Sequence, residues 1–457
     1  YQPDDRTHYV DGPPQAADVC IHPTPTTTAK NVSGSEGKTV VVSGMRAGGS
    51  VYFALDVTDP SSVSYPGYMW EFPEESDPDN AAVATSFLPY FAETWGQPII
   101  TRVRLNVNTN TNGGYGYERW VAVVTGGYHA TGDPNDPVNY DPNGTEGRAI
   151  ALVDIKTGEV VAAKRFDPLA SDAAKDMKYA IPSTPAVLDL NADGFADVIY
   201  VGDLGGQVFK WVVAPVGEDR VNDGSAASDY SQPNWDFSVF YQAPTVTDGG
   251  TGTTYYKSFY FPPAAAKLGS TLWLSMGSGE RKNLNFPGMA GLDENNRFYV
   301  VKDVDPRNTL GVAAPIVETD LTDVTGNSSC ASISTPGYFF KVPDGEKFVT
   351  RTDIFAGLVF VATYVPPATT DPCNQIGNAA IYIFSLACGE GYFVDGAGNP
   401  DRKLDLDVAM PTDPQVSVGP DGKDNRIYIE LSNAELMSIG MPDVDGAVSS
   451  LYWRMID

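Results

Sequence analysis

The sequence contains no long apolar run. A helix that crosses a bilayer needs about 20 consecutive apolar residues, and this chain of 457 residues holds no such stretch. No signal peptide is visible either, since the chain opens on Tyr1 without a methionine, a basic region and an apolar segment. We therefore expect a mature or truncated product with no membrane-spanning segment.

Basic residues are scarce. The chain has 30 Lys and Arg against 58 Asp and Glu, which gives a formal net charge of −28. Binding to nucleic acid depends on cationic contacts to phosphate, so we expect no nucleic-acid partner. The acidic balance fits a protein that faces an ion-rich exterior, and it equally fits simple solubility.

Residues of known catalytic motifs are few. Only three histidines occur, His8, His22 and His129, and the sequence has no G-x-S-x-G, P-loop or H-E-x-x-H motif. His129 follows a glycine pair at the end of an apolar stretch, where a lone histidine is more typical of a structural role than of proton transfer. We expect no catalytic residues and no enzymatic activity.

Cysteine is limited to four residues, and none of them forms a CxxC pair, a haem-attachment motif or a zinc-type cluster. An even count without metal spacing favours disulfides and an oxidising compartment, although four buried thiols would also fit. Cys373 and Cys388 flank a strand-like segment and are the favoured pair. Elimination then pairs Cys20 with Cys330.

Helical periodicity is nearly absent, whereas short strand patterns recur from about residue 39 to the end. Gly 45, Pro 35 and Tyr 24 describe a turn-rich chain, and such a pattern predicts an all-β sandwich, barrel or propeller. A repeated unit favours the propeller: a strand that ends in glycine, then a second alternating strand and a polar turn. It recurs around residues 40–60, 120–158, 198–211 and 272–303.

These repeats predict a modified β-propeller of about seven blades with long loop insertions. We assign residues 39–457 to the propeller domain. Residues 1–38 are assigned to an N-terminal extension or insertion that packs on it. Further irregular stretches rich in Asn, Asp, Pro and Gly, such as 129–147 and 214–255, are expected to be surface insertions, which are common sites of function.

The most informative stretch is a nine-residue segment in which oxygen-bearing residues alternate around Gly194. Calcium takes six to eight oxygen ligands, and alternate residues of a tight loop point inward. An EF-hand would place a bidentate carboxylate at the twelfth position, which is Tyr200 here, so the loop is a shorter type that closes at position nine. A polar hairpin turn is the alternative interpretation. The expected ligands are Asp189, Asn191, Asp193, the carbonyl of Phe195, and Asp197.

The chain resembles the C-terminal propeller domain of the PilC/PilY family, the tip-located adhesins of bacterial type IV pili. The resemblance runs from about residue 39 to the C-terminus. It rests on residues 48–60 (GGSVYFALDVTDP), 95–98 (WGQP), 120–128 (WVAVVTGGY), 183–189 (STPAVLD) and 200–211 (YVGDLGGQVFKW), with later matches at 277–281 and 451–454.

This resemblance implies one bound Ca²⁺, held by the loop residues named above, and a non-enzymatic role in pilus biogenesis, control of extension and retraction, and surface adhesion. It implies minor pilins or a pilus tip complex as partners, with a host or surface receptor. The location would be extracellular, at the pilus tip or outer cell surface, after export through the periplasm. The alternative is a secreted quinone-dependent dehydrogenase, since that class also combines a propeller with calcium.

Overall fold

The computed structural model describes most of the chain, and strands dominate it. The described residues are 10–21, 37–74, 87–105, 117–213, 235–284, 295–307, 314–330, 332–367, 377–408 and 410–443. Short 3₁₀ helices lie at Leu88–Tyr90, Ala130–Gly132, Ala173–Asp176, Glu318–Asp320 and Pro420–Gly422. No helix in these ranges is both long enough and apolar enough to cross a membrane.

The described chain divides into two compact units. The first comprises the residues up to Phe240 with residues 306, 307 and 314, and the second comprises the remainder from Tyr241 onward. Most of residues 1–38, which the sequence analysis assigns to an N-terminal extension or insertion, lie outside the described residues. Its described part forms a strand that pairs with the next strand of the first unit.

The first unit contains three sheets in which the strands follow chain order. The last two residues of β12 belong to the second unit. The strands of the first sheet are β1 (Gln15–Cys20), β2 (Gly37–Gly44), β3 (Tyr52–Asp56) and β4 (Gly67–Phe72). The second sheet has β5 (Ile99–Leu105), β6 (Tyr117–Thr125), β7 (Ala149–Asp154) and β8 (Val160–Arg165). The third has β9 (Ala186–Leu188), β10 (Val198–Gly202), β11 (Gln207–Val212) and β12 (Phe237–Gln242). A fifth strand, β18 (Ile316–Val317), pairs parallel with the last two residues of β12.

The second sheet is buried on both faces. Successive side chains of a strand point to opposite faces, and β6 accordingly sends Val121 and Val123 into one core cluster and Ala122 and Val124 into another. The first cluster is shared with the third sheet, and the second cluster is shared with the first sheet. Consecutive residues of β6 are therefore apolar because each face of the sheet packs on a different core, as expected of a sheet that is covered on both faces.

The second unit contains three larger sheets and two small hairpins among its described residues. The strands are β13 (Val246–Thr247), β14 (Thr254–Tyr255), β15 (Ala264–Leu268), β16 (Thr271–Gly277), β17 (Arg297–Asp303), β18 (Ile316–Val317), β19 (Thr322–Asp323), β20 (Gly337–Lys341) and β21 (Lys347–Phe348). They continue with β22 (Asp353–Phe355), β23 (Leu358–Val365), β24 (Asn378–Ser385), β25 (Phe393–Val394), β26 (Pro400–Asp401), β27 (Lys403–Val408), β28 (Gln415–Ser417), β29 (Arg426–Glu430) and β30 (Leu436–Gly440). The sheet orders are β15-β16-β17-β20-β19, β21-β23-β24-β27 with β22 on β23, and β28-β29-β30.

Six sheets of three or more strands thus lie within the described ranges, against about seven repeat units expected from the sequence. In the second unit β24 repeats the two-core arrangement of β6. Tyr382 and Phe384 enter one cluster, whereas Ile381 and Ile383 enter another.

Disulfide bonding is confirmed, but both predicted pairings are wrong. Cys330 is bonded to Cys388, with a Cα–Cα distance of 5.1 Å, so neither cysteine is available to Cys373 or Cys20. Cys373 lies outside the described residues. The true pair forms because the backbone before β20 runs beside the turn after β24, where the Gly391 N–H donates to the Ser328 carbonyl at 2.8 Å.

Candidate metal-binding loop

The predicted calcium-type loop joins β9 to β10. The two strands pair antiparallel, with Leu188 opposite Val198. The loop thus begins and ends at adjacent positions of one hairpin, where the Asp197 N–H donates to the Leu188 carbonyl at 2.8 Å.

Two residues of the loop adopt the left-handed conformation that lets the chain turn sharply. Gly194 has φ +82° and Ala192 has φ +59°. The positive φ of Gly194 is favourable because glycine has no Cβ to clash. Ala192 was not predicted to adopt this conformation, which is strained for a residue with a Cβ.

The carboxylate of Asp189 organises the front of the loop. It is 6% exposed and accepts the backbone N–H groups of Asn191 at 3.2 Å, Asp193 at 3.3 Å and Gly194 at 2.6 Å. Asp193 in turn accepts the N–H of Phe195 at 2.9 Å. The structure therefore brings the first three predicted ligand side chains to one turn, since Asn191 Nδ2 also donates to Asp193 Oδ2 at 3.2 Å.

Asp197 closes the loop from a buried position. Its Oδ2 accepts the N–H of Leu190 at 2.7 Å, and its Oδ1 lies 3.0 Å from a guanidinium nitrogen of Arg307. Burial raises the pKa of Asp197 to about 6, and nearby Asp193 and Asp189 add to this rise. The Leu190 hydrogen bond and Arg307 act in the opposite direction on the pKa. The loop therefore concentrates negative charge that a cation would relieve.

The loop supplies oxygen donors of the kind that calcium prefers: three carboxylates, one amide oxygen and one backbone carbonyl. In the structure its carboxylates accept hydrogen bonds from backbone N–H groups, and that of Asp197 also lies against Arg307. Within the described ranges, the one set of three His, Cys, Asp or Glu side chains whose ligand atoms all lie within 4.8 Å is Cys330, Cys388 and Glu390. Two of those sulfurs are bonded to each other. The donor chemistry of the loop fits calcium, and binding would require the carboxylates to converge.

Two arginines that the sequence analysis missed contact the loop. Arg102, on β5, donates from Nε to the Gly194 carbonyl at 2.8 Å. Its guanidinium lies over the rings of Phe195, at 4.8 Å, and Trp120, at 5.4 Å. Its carbonyl accepts the N–H of Ala196 at 2.8 Å. No local sequence signal reveals Arg102 or Arg307, because each reaches the loop only through tertiary folding.

A cavity of about 130 Å³ adjoins the loop. Its walls come from the strands β1, β5, β6 and β9 and from the loop itself. The lining includes apolar, aromatic and charged side chains: Ala17, Ile99, Arg102, Trp120, Val187, Asp189 and Phe195. The loop therefore forms one wall of a pocket that is large enough for a single side chain.

His129 has the structural role that the sequence indicated. Its Nδ1 lies 2.8 Å from Thr131 Oγ1 and accepts the Thr131 N–H at the start of the 3₁₀ helix Ala130–Gly132. Thr131 Oγ1 also contacts Glu146 Oε2 at 3.0 Å. The ring thus caps a turn. His8 and His22 lie outside the described residues.

Sheets that are antiparallel in most of their strand pairs, and that share cores with neighbouring sheets, define an all-β protein of the β-propeller class. A family model described as "PilY1 beta-propeller domain" matches residues 1–254, which is more than half of the sequence. The chain belongs to this family.

Curated relatives are longer than this chain. "Type IV pilus biogenesis factor PilY1 homolog" from Xylella fastidiosa is 25% identical over 403 residues, which are 84% of this chain and 24% of the relative. "Type IV pilus biogenesis factor PilY1" from Pseudomonas aeruginosa is 26% identical over 252 residues, which are 53% of this chain and 16% of the relative. The chain thus matches about a quarter or less of each relative.

A solved structure supports the fold. The crystal structure of the Pseudomonas aeruginosa PilY1 C-terminal domain superposes with a TM-score of 0.58 and 17% identity, and it covers 96% of this chain and 86% of that one. At this identity the likeness establishes the propeller fold and does not transfer individual site residues.

Proposed function

We propose that this chain is the calcium-binding, non-enzymatic propeller of a type IV pilus biogenesis factor. The observation that carries the proposal is the loop between β9 and β10, in which alternate oxygen-bearing residues are gathered on one turn of a PilY1-type propeller. The relatives are named as type IV pilus biogenesis factors, which supports a role in pilus assembly, in extension and retraction, and in surface adhesion.

The electrostatics of the loop support a calcium-dependent shape change. Asp189, Asp193 and Asp197 repel one another, and this repulsion contributes to the raised pKa of Asp197. A divalent cation removes the repulsion and draws the carboxylates together, so binding favours one conformation of the loop. Because Phe195 and Asp189 also line the adjacent cavity, this conformation sets the shape of the pocket.

The pocket is the surface that we assign to protein partners. It combines aromatic rings with the Arg102 guanidinium, and interface anchors are commonly aromatic side chains or arginines that fill such pockets. We infer minor pilins or the pilus tip complex as partners, or a host or surface receptor. The matching location is extracellular, at the pilus tip or outer cell surface, after export through the periplasm.

The calcium claim is tested by calorimetric titration of CaCl₂ into chelator-stripped protein, with Asp193→Ala beside the wild type. We expect heat at a stoichiometry of one in the wild type and its loss in the variant. Asp395→Ala is the matched control, since Asp395 is also a carboxylate that accepts backbone N–H groups in a hairpin turn. The control should bind calcium like the wild type. No heat in the wild type, or equal heat in Asp193→Ala, contradicts the assignment.

The pilus role is tested in the bacterium by replacing the native protein with the Asp193→Ala form. We expect normal export of the variant with fewer or poorly retracting pili, measured by surface pilin and twitching motility, and Asp395→Ala should behave like the wild type. Normal motility in a variant that has lost calcium binding would show that pilus function does not depend on the ion.

A further inference from the structure

Arg307 occupies the position of a competing cation at the loop. Its guanidinium nitrogen lies 3.0 Å from Asp197 Oδ1, and the Asp197 side chain is 2% exposed. Asp197 is one of the five expected calcium ligands, so the ligand oxygen already faces a positive charge supplied by the chain itself. We propose that Arg307 is an internal competitor for calcium, which holds Asp197 in the calcium-free protein and sets the affinity of the loop for the ion. This inference rests on the proposed calcium function.

The contacts of Asp197 favour competition over simple support. Its second oxygen, Oδ2, is already used by the Leu190 N–H at 2.7 Å, which leaves Oδ1 as the oxygen that Arg307 and an ion would share. Calcium–oxygen bonds are about 2.3–2.6 Å, so an ion on Oδ1 would lie within about 6 Å of the guanidinium nitrogen. The two cations repel at that distance, and the repulsion is strongest where the pair is shielded from water.

The Arg307 contact is also incompletely formed. Its Nε is buried and has no hydrogen-bond partner among the described residues, so the guanidinium does not form the two parallel bonds that make arginine–carboxylate pairs strong. A single contact with an unsatisfied buried donor is easier to exchange than a bidentate pair. Arg307 therefore stabilises the calcium-free loop enough to order Asp197 without blocking the ion permanently.

Arg102 provides the contrast that makes the assignment specific. It is also cationic and also contacts the loop, but it donates to the Gly194 carbonyl and stacks on Phe195. Neither group is a ligand oxygen in the expected set, which uses the carbonyl of Phe195 and not its ring. Arg102 thus supports the loop backbone, whereas Arg307 engages a ligand directly.

The experiment compares calcium affinity and calcium-free stability in the same variants. Arg307→Gln should bind calcium about tenfold or more tightly, because a repelling charge near the ion is removed. In chelator the same variant should melt at a lower temperature than the wild type. Its melting temperature should then rise more than that of the wild type when calcium is added. Arg307→Lys should remain close to the wild type in affinity because it keeps the charge.

Arg351→Gln is the matched control. Arg351 also places its guanidinium 3.0 Å from a carboxylate, that of Asp413, and it is 31% exposed against 32% for Arg307. Loss of this ion pair should leave calcium affinity unchanged. An effect of equal size in both glutamine variants would show that general charge, and not the position of Arg307, determines affinity, and would overturn the inference.

A measurement on the wild type protects the test against a variant that fails to fold. Modification of Arg307 by phenylglyoxal, read by mass spectrometry, should increase when calcium replaces chelator, because the ion displaces the guanidinium. Unchanged modification, or weaker calcium binding in Arg307→Gln, would overturn competition and make Arg307 a supporting residue. Calcium heat with equal affinity in the wild type and Arg307→Gln would overturn competition alone, whereas no heat in either protein would contradict the calcium function itself.

Discussion

Two hairpin loops of this chain use the same turn chemistry in different surroundings. In the loop between β9 and β10, Asp189 accepts three backbone N–H groups. In the loop between β25 and β26, Asp395 accepts the N–H groups of Ala397 and Asn399, each at 2.8 Å. Each loop also has a glycine at positive φ, Gly194 at +82° and Gly398 at +86°.

The two loops differ in burial. Asp189 and Asp197 are buried and arginines pack against their loop, whereas residues 394–399 are all exposed. Burial raises the pKa of Asp197, while the pKa of Asp395 is lowered, chiefly by the hydrogen bond from the Asn399 side chain. Turn chemistry alone therefore does not indicate an ion site. The distinguishing property is a carboxylate whose charge is costly without a cation.

The glycines provide the largest expected contrast between the loops. A Cβ at Gly194 would lie 1.8 Å from an Arg102 guanidinium nitrogen, whereas a Cβ at Gly398 would meet nothing within 4 Å. We expect Gly398→Ala to cost about 1 kcal/mol, from the left-handed backbone alone. Gly194→Ala should cost about 2–3 kcal/mol, because Arg102 must also give up its loop contacts. Denaturant unfolding of both variants in chelator measures this, and equal costs would contradict a tight Arg102 contact.

Arg102 should contribute the next largest effect. Arg102→Met removes the charge-assisted bond to Gly194 and the stacking on Phe195, so we expect a loss of about 1–2 kcal/mol in unfolding free energy and weaker calcium binding. The measurement is urea unfolding with and without calcium. The control is Arg351→Gln, which breaks an ion pair with Asp413, a residue outside the loop between β9 and β10. A variant with normal calcium affinity would show that the loop holds its shape without Arg102.

The smallest expected effect is the opposite pH dependence of Asp197 and Asp395 in calcium-free protein. The pKa of Asp197 is raised from 3.8 to about 6, so its contribution to stability is fully present below pH 3.8 and is lost as the pH rises through about 6. The pKa of Asp395 is lowered, so its contribution is present above pH 3.8 and is lost as the pH falls through the lowered value. Carboxyl carbon NMR titration should separate the two, and similar midpoints would remove the distinction between the loops.

The sequence predicted the loop better than its surroundings. Ligand-type residues such as Asp189 and Asp193 lie close together along the chain, and the flanking strands are short apolar runs, so local rules sufficed for the loop and for strands such as β6 and β24. The cysteine pairing failed because Cys330 approaches Cys388 only when the segment before β20 packs beside the turn after β24. Arg102 and Arg307 were missed for the same reason.

The spacing of the loop residues also bears on the order of folding. All five expected donors lie within nine consecutive residues, and the entropy needed to close a short loop is small compared with that of a distant contact. Arg307 reaches Asp197 from far along the chain, so its contact forms only after long-range structure is in place. On the proposal that Arg307 competes with calcium, a chain that folds where calcium is plentiful would load the ion before Arg307 arrives, whereas a chain that folds without calcium would mature with Arg307 in place.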